Sequence, residues 1–296
     1  MEAGRTYKKL LLAAIVAVAV FAVDLLVTGL VYGMVFSRFD SESGEAISVR
    51  RTGFGFSSGD ALLQGYFYPS EENTALVVLA PGFHTVQDDY FEVTEALLAK
   101  GYSVFTFDPT GCGESGGGSQ EGFPQIITDL DACLDAIAEN DRFGCEKLFL
   151  FGHSRGGYGA CCVLQSHPEV DGAVCVGGVS SAMDGVMSGA YGILGSAAYF
   201  NYPVLALWQG AEFGETAGID AVSSINGSGI PVLIVQGEDD ARIPTDRFSV
   251  YSRAGSLSDN AELLLTDGGH VDSLYTDSGA DAELMEKVVS FYRACD

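Results

Sequence analysis

The sequence predicts an α/β domain with a mostly parallel sheet, and three observations carry that prediction. Apolar runs of strand length alternate with longer helical patterns along most of the chain. Two runs, Leu76-Val77-Val78-Leu79 and Val232-Leu233-Ile234-Val235, are apolar without interruption, as strands covered by helices on both faces are. The 296 residues are 47% hydrophobic and 11% aromatic, which supplies a full core and excludes a generally disordered chain.

The first element precedes the domain. Residues 10–36 hold 16 Leu, Ile, Val and Phe and a single charge, Asp24. About 20 apolar residues cross a bilayer. A mid-span aspartate costs about 2.5–3.5 kcal/mol and each large aliphatic or Phe returns about 0.3–0.6, so the apolar contribution wins. The rival reading is a cleaved signal peptide, with Arg5, Lys8 and Lys9 as its basic region and 10–23 as its apolar run. No small-x-small site closes that run, because Asp24-Leu25-Leu26 follows and the hydrophobicity resumes. The expected organisation is a cytoplasmic tail (1–9), a transmembrane anchor (10–36), a polar linker (37–46) and one domain (47–296). Three basic residues lie close before the helix and only Arg38 as close after it, which places the domain on the extracytoplasmic side of the cell membrane.

Within the domain, strands are expected at 62–68, 75–80, 103–108, 147–152, 172–177, 231–237 and 261–266. Helices are expected at 88–100, 123–140, 156–166, 245–254 and 280–294. Residues 179–218 break the alternation. They are rich in Gly, Ala and aromatics, including Tyr191, Tyr199, Phe200, Tyr202 and Trp208, and read as an insertion over the sheet.

Charge narrows the partners. Lys and Arg number 15 against 40 Asp and Glu, a net −25. Residues 1–36 hold three basic and two acidic residues, leaving 12 against 38, or −26, on the remainder. Nucleic acid and anionic lipid surfaces both demand a surplus of cations that this domain lacks.

Gly152-His153-Ser154-Arg155-Gly156 matches G-x-S-x-G, the pattern of a nucleophile held on a tight strand-to-helix turn. The bare pattern is weak evidence, because Ser57 and Ser115 match it too and read as loop residues. Only Ser154 has an apolar strand before it and a helical pattern after it. A serine hydroxyl needs a base, and histidine is the usual one. In this architecture the base follows the serine and the acid in chain order, which selects His270, after the last strand, over His84, His153 and His167. The orienting acid belongs on the loop after strand 231–237, where Asp240 is preferred and Asp239 is the runner-up.

The sequence resembles the α/β-hydrolase superfamily over about residues 47–294, in its serine aminopeptidase S33 and monoacylglycerol-lipase-like branch. The resemblance rests on Ala80-Pro81-Gly82-Phe83, on Asp108-Pro109-Thr110-Gly111-Cys112-Gly113-Glu114-Ser115, on residues 152–156, on Gly237-x-x-Asp240-x-x-Ile243-Pro244 and on Gly269-His270, in that order. Thr110 stands where the family pattern has arginine, and Pro81-Gly82 where it has His-Gly. The resemblance implies an α/β-hydrolase fold and a Ser154-His270-Asp240 triad. It implies an oxyanion hole from the backbone N–H groups of Phe83 and Arg155, and a cap at 179–218 that chooses the substrate. His84 either lines the pocket or is a solvated loop histidine, and His153 is a second pocket candidate. The expected activity is hydrolysis of a small-molecule carboxylic ester with an apolar acyl or aryl group through an acyl-enzyme, with no cofactor. A peptidase or acyltransferase on the same triad is the alternative within enzymes, and a silent membrane-tethered binding protein the alternative outside them.

Seven cysteines, Cys112, Cys133, Cys145, Cys161, Cys162, Cys175 and Cys295, form no C-x-x-C pair, so no zinc or other metal site is expected. An oxidising compartment would allow some of them to pair.

Overall fold

The computed structural model describes residues 2–40, 49–71, 75–143 and 146–295. Most of the expected linker, 41–46, the start of the domain at 47, and Cys145 lie outside the described residues. Helix α1 (Glu2–Val35) leads into strands β1 (Thr52–Ser58), β2 (Ala61–Tyr68) and β3 (Leu76–Ala80). There follow α2 (Phe91–Leu98), β4 (Ser103–Phe107), α3 (Gln125–Ala138), β5 (Leu148–His153), α4 (Arg155–Cys162) and β6 (Gly172–Val176). The chain continues through α5 (Ala182–Leu194), α6 (Tyr202–Phe213), α7 (Ala221–Ser228), β7 (Val232–Gly237), β8 (Ala261–Thr266) and α8 (Ala282–Ala294).

The eight strands form one sheet in the order β1-β2-β4-β3-β5-β6-β7-β8. Only the pairs β1/β2 and β2/β4 are antiparallel; β4, β3, β5, β6, β7 and β8 run parallel. Strands β3, β4, β5, β6 and β7 are the apolar runs, and their residues are almost all buried. One core lies on each face. On one side α3 and α4 contribute Ile126, Leu130 and Tyr158; on the other α2 and α8 contribute Val93, Leu97, Val288 and Tyr292.

The sequence misses β1, where Gly53 and Gly55 dilute the apolar signal of Phe54 and Phe56, and Ser57 belongs to that strand and not to a loop. The helix expected at 245–254 forms only at its end, as a 3-10 turn (Tyr251–Ser256). Phe248 takes a left-handed φ of 67°, which ends any helix there, and its carbonyl accepts from Ser180 N at 2.7 Å. A bridge between Val179 and Ser249 then seals the base of the insertion.

That insertion is an excursion whose ends meet. Ser181 bridges Asp220, and Ala221 N donates to Ser180 O at 2.9 Å. Between those points lie α5, a 3-10 turn (Gly195–Asn201), α6 and a second 3-10 turn (Gly214–Gly218). Ser181 caps α5 by accepting from Asp184 N, and Pro203 sits where the first turn of α6 needs no donor. Helix α1 is long and apolar enough to cross a membrane over Thr6–Val35. Its C-terminal end docks on the domain, with Tyr32 and Phe36 buried. Arg38 donates to the carbonyls of Gly113, Ser115 and Gly117, and Gln120 N donates to Phe36 O at 2.7 Å.

Candidate active site

Strand β5 ends at His153, and α4 begins at Arg155, so one residue makes the whole turn. That residue, Ser154, has φ 56° and ψ −119°, a strained conformation for any side chain. The turn closes because two neighbours lack Cβ. A Cβ on Gly152 would stand 2.3 Å from Gly156 O, and one on Gly156 would stand 2.0 Å from Ala80 O. Ser154 N is tied to Val176 O at 2.8 Å, which holds the serine at the C-terminal edge of the sheet.

His270 reaches this edge from the loop after β8. Its Nε2 is 2.8 Å from Ser154 Oγ, and its Nδ1 is 2.7 Å from Asp240 Oδ2. Asp240, on the loop after β7, is almost fully buried. Its Oδ1 accepts from the Arg242 and Ile243 amides at 2.9 and 2.8 Å, and its Oδ2 also accepts from Gln236 Nε2 at 2.9 Å. Burial pushes this carboxyl up, but the hydrogen bond and charge of His270 and the two amides outweigh it, so its pKa lies below the ordinary aspartate value. Asp239 is exposed and points elsewhere. The structure therefore brings Ser154, His270 and Asp240 into one line.

The loop after β3 covers the serine. A Cβ on Gly82 would lie 3.4 Å from Ser154 Cβ, so the Gly82 backbone packs directly against the serine and Phe83 is the next residue of that loop. Arg155 opens α4, whose first-turn amides have no acceptor within the helix. Its side chain is fully buried and donates to Gln120 O and Gln120 Oε1.

The other histidines are placed differently. His84, at φ 53°, stacks between Phe83 and Phe39, and its Nε2 lies 3.1 Å from Val35 O, at the end of α1. It is exposed and touches no member of the serine line. His153 is buried behind His270 and does not face the serine. Its Nε2 donates to His270 O at 2.9 Å, which leaves Nδ1 to accept from Tyr90 OH at 2.9 Å. Tyr90 OH in turn accepts from Gly82 N at 2.9 Å. Burial pulls the His153 pKa down to about 3, helped by the neighbouring His270, and pushes Tyr90 up to about 12. One neutral histidine thus joins the loop of Gly82 to the loop of His270. His167 bonds Asp131 and Glu169 and is remote from all of this.

Tyr90, Gln120 and Gln236 were not singled out from sequence. They lie in no motif and act by buried hydrogen bonds to motif residues, a role that no spacing reveals. Ser115 is also explained: its hydroxyl donates to Asp108 O and accepts from Gln64 N, so it holds a loop together and faces no base. Among the described residues no group of three or more His, Cys, Asp or Glu is placed to hold a metal ion. Cys112, Cys133, Cys161, Cys162 and Cys175 are buried free thiols.

Residues 71–200 match the family described as serine aminopeptidase, S33. The uncharacterized protein YfhR of Escherichia coli is 24% identical over 241 residues, covering 77% of this chain and 75% of its own. Among solved structures, the Pyrococcus furiosus esterase Pf2001 superposes with a TM-score of 0.67 at 20% identity, over 88% of this chain and 98% of that one. The Pyrococcus horikoshii acylaminoacyl peptidase superposes with a TM-score of 0.57 at 18% identity, over 83% of this chain and 42% of that one.

Proposed function

We propose, from the premise that this chain belongs to the α/β-hydrolase superfamily in its serine aminopeptidase S33 branch, that it is a membrane-anchored serine hydrolase cleaving carboxylic esters with an apolar acyl or aryl group. The observation that carries the proposal is the unbroken line from Ser154 Oγ to His270 Nε2, 2.8 Å, and from His270 Nδ1 to Asp240, 2.7 Å.

In this mechanism Ser154 Oγ attacks the carbonyl carbon while His270 Nε2 takes its proton. Asp240 accepts from Nδ1–H, fixes the tautomer and stabilises the imidazolium that forms. The Phe83 and Arg155 amides receive the oxyanion, and each such donor is worth about 2.7–4 kcal/mol of barrier. The imidazolium then protonates the leaving alkoxide. Water, deprotonated by His270, hydrolyses the acyl-enzyme and regenerates the serine. The depressed pKa of Asp240 keeps that group ionised at neutral pH.

The anchored reading is favoured over a cleaved leader by what the end of α1 does. Tyr32 and Phe36 are buried in the domain's own core, and Arg38 bonds three of its carbonyls. Removal of a leader ending at 36 would strip the domain of core side chains. Three basic residues close before the helix against one close after it favour an extracytoplasmic domain.

A fluorophosphonate probe tests the chemistry, followed by p-nitrophenyl esters of graded chain length and matched anilides. Labelling of the wild type and none of Ser154→Ala is expected. Labelling that persists in Ser154→Ala overturns the assignment, and faster turnover of anilides than of esters would favour a peptidase.

A further inference from the structure

From Gly185 to Ala211 the chain has no charged residue and no histidine, 27 residues in a protein that is 19% charged. This run carries the most exposed apolar side chains of the domain. Phe200 is 90% and Ile193 85% exposed, and Leu194, Tyr199, Tyr202 and Leu207 stand open beside them. An acidic domain that covers itself with carboxylates elsewhere leaves this one flank bare, and such a patch marks an interaction surface.

The flank is continuous with α1. Thr28 Oγ1 accepts from Asn201 Nδ2 at 3.1 Å, and a Cβ on Gly29 would stand 2.7 Å from the Trp208 ring. The buried side of α1 is a stripe at four-residue spacing, Thr28, Tyr32 and Phe36, while Leu26, Leu30 and Met34 face outward. The insertion therefore grips the helix at a fixed height. From Leu10, just after Lys8 and Lys9, to Gly29 is 20 residues, about 30 Å of helix, which is the thickness of the hydrocarbon layer. The grip at Thr28 and Gly29 falls at the far boundary of that layer, so Phe200, next to Asn201, and Trp208 lie at the headgroup level, where Tyr and Trp side chains concentrate.

We propose that the flank formed by Ile193, Leu194, Tyr199, Phe200, Tyr202 and Leu207 is seated in the interface of the same bilayer that α1 crosses, so that the ester substrate is a lipid-dissolved one that enters from the membrane. This rests on the anchored-hydrolase reading above. A run of aromatic rings leads from the boundary to the loop beside the serine: Trp208 to Tyr32 at 6.3 Å, Tyr32 to Phe36 at 4.5 Å, and Phe36 to Phe83 at 5.0 Å. Phe36 is seven residues beyond Gly29, so the oxyanion loop stands about 10 Å off the boundary, a distance a long acyl chain bridges. With a net charge of −25, apolar burial and not attraction to anionic headgroups holds the flank down.

The chain has a single tryptophan, Trp208, which makes the depth measurable. The full chain is placed in phosphatidylcholine vesicles as Trp208→Phe with Phe200→Trp, and quenching is compared for lipid brominated near the headgroup and for iodide in the water. Strong quenching by the brominated lipid with little by iodide is expected. Full access to iodide overturns the proposal. So does shielding from both quenchers together with cross-linked dimers, because a second copy then covers the flank. Phe200→Glu, in the otherwise natural chain, is expected to lower the ratio of kcat/KM for a long-chain ester dissolved in the vesicles to that for a short soluble ester at least tenfold; an unchanged ratio overturns entry from the membrane. Alkaline carbonate extraction separates the two readings: release of the wild type from vesicles sinks the anchor itself, while retention with an iodide-accessible Phe200→Trp sinks only the seating of the flank.

Discussion

His153 occupies the middle of the nucleophile pattern, yet its neighbours make it a brace and not a reactant. It is neutral, fully enclosed, and bonded on one side to the carbonyl of His270 and on the other to Tyr90. Its pKa falls from about 6.5 in an unfolded chain to about 3 in the folded one. The unfolded state therefore binds the extra proton between those values, and stability is complete above pH 6.5 and lost progressively as the pH falls toward 3. The full loss is on the order of 4–5 kcal/mol. His153→Gln, which offers the same donor and acceptor without titrating, is expected to flatten the fall in urea midpoint between pH 6.5 and 4; an unchanged slope refutes the assignment. Asp240 adds its own loss only as the pH falls below the ordinary aspartate value of 3.8, so the fall between pH 6.5 and 4 belongs to His153 and not to Asp240. Asp240 makes a second prediction at this scale. Asp240→Asn, which presents the wrong partner to His270 Nδ1, is expected to lower kcat by about four orders of magnitude, whereas Asp239→Asn, exposed and unbonded to the line, leaves it within a factor of two. The reverse result would move the acid by one residue. Ser154, His270 and Asp240 were legible because each follows a strand in fixed chain order. Tyr90, Gln120 and Gln236 were not, because a buried side chain that bonds a neighbour's backbone leaves no periodic or spacing signal.

At the scale of elements, the central strands were legible because burial on both faces demands uninterrupted apolar residues, and no other reading fits Leu76–Leu79 or Val232–Val235. Strand β1 was not, because its glycines erase the alternation and its pairing with β2 supplies what the sequence lacks. The segment 245–254 failed for the opposite reason. It has helical propensity, but the bond from Ser180 to Phe248 O and the Val179–Ser249 bridge pull it into the base of the insertion, and tertiary contacts override propensity. The contact between α1 and α6 is likewise invisible in sequence, since an apolar helix next to an apolar insertion reads only as two apolar stretches. It makes a sharp prediction because Gly29 admits the Trp208 ring. Gly29→Leu overpacks that contact at a cost of about 1–3 kcal/mol and drives the indole outward. The single-tryptophan emission of the full chain should change its maximum and its susceptibility to soluble quencher, while Gly33→Leu, where no atom lies within 4 Å of an added Cβ, should leave both unaltered.

At the scale of the whole molecule, the long apolar helix α1, proposed above as the membrane anchor, also completes the hydrolase fold. Tyr32 and Phe36 belong to the core on the α3 and α4 side, Phe36 packs its ring on Phe83 at 5.0 Å and on Phe123 at 5.9 Å, and Gln120, through its backbone and side chain together, ties Arg155 to the carbonyls of Phe36 and Ser37. Deleting α1 therefore has different consequences at different cut points. A chain beginning at residue 26 keeps Thr28, Tyr32, Phe36 and Arg38. One beginning at residue 41 loses two core aromatics, and a buried Phe alone is worth about 3–5 kcal/mol against Ala. Domains hold only about 5–15 kcal/mol in all, and near this size 1 kcal/mol moves Tm by about 2–4 °C. The shorter chain is expected to melt at least about 8 °C below the longer one and to lose fluorophosphonate labelling first, because the wall it lacks backs the Phe83 loop. Melting curves of the two truncations in the same detergent decide the point, and equal midpoints would show that the end of α1 merely rests on the domain and contributes nothing to its core.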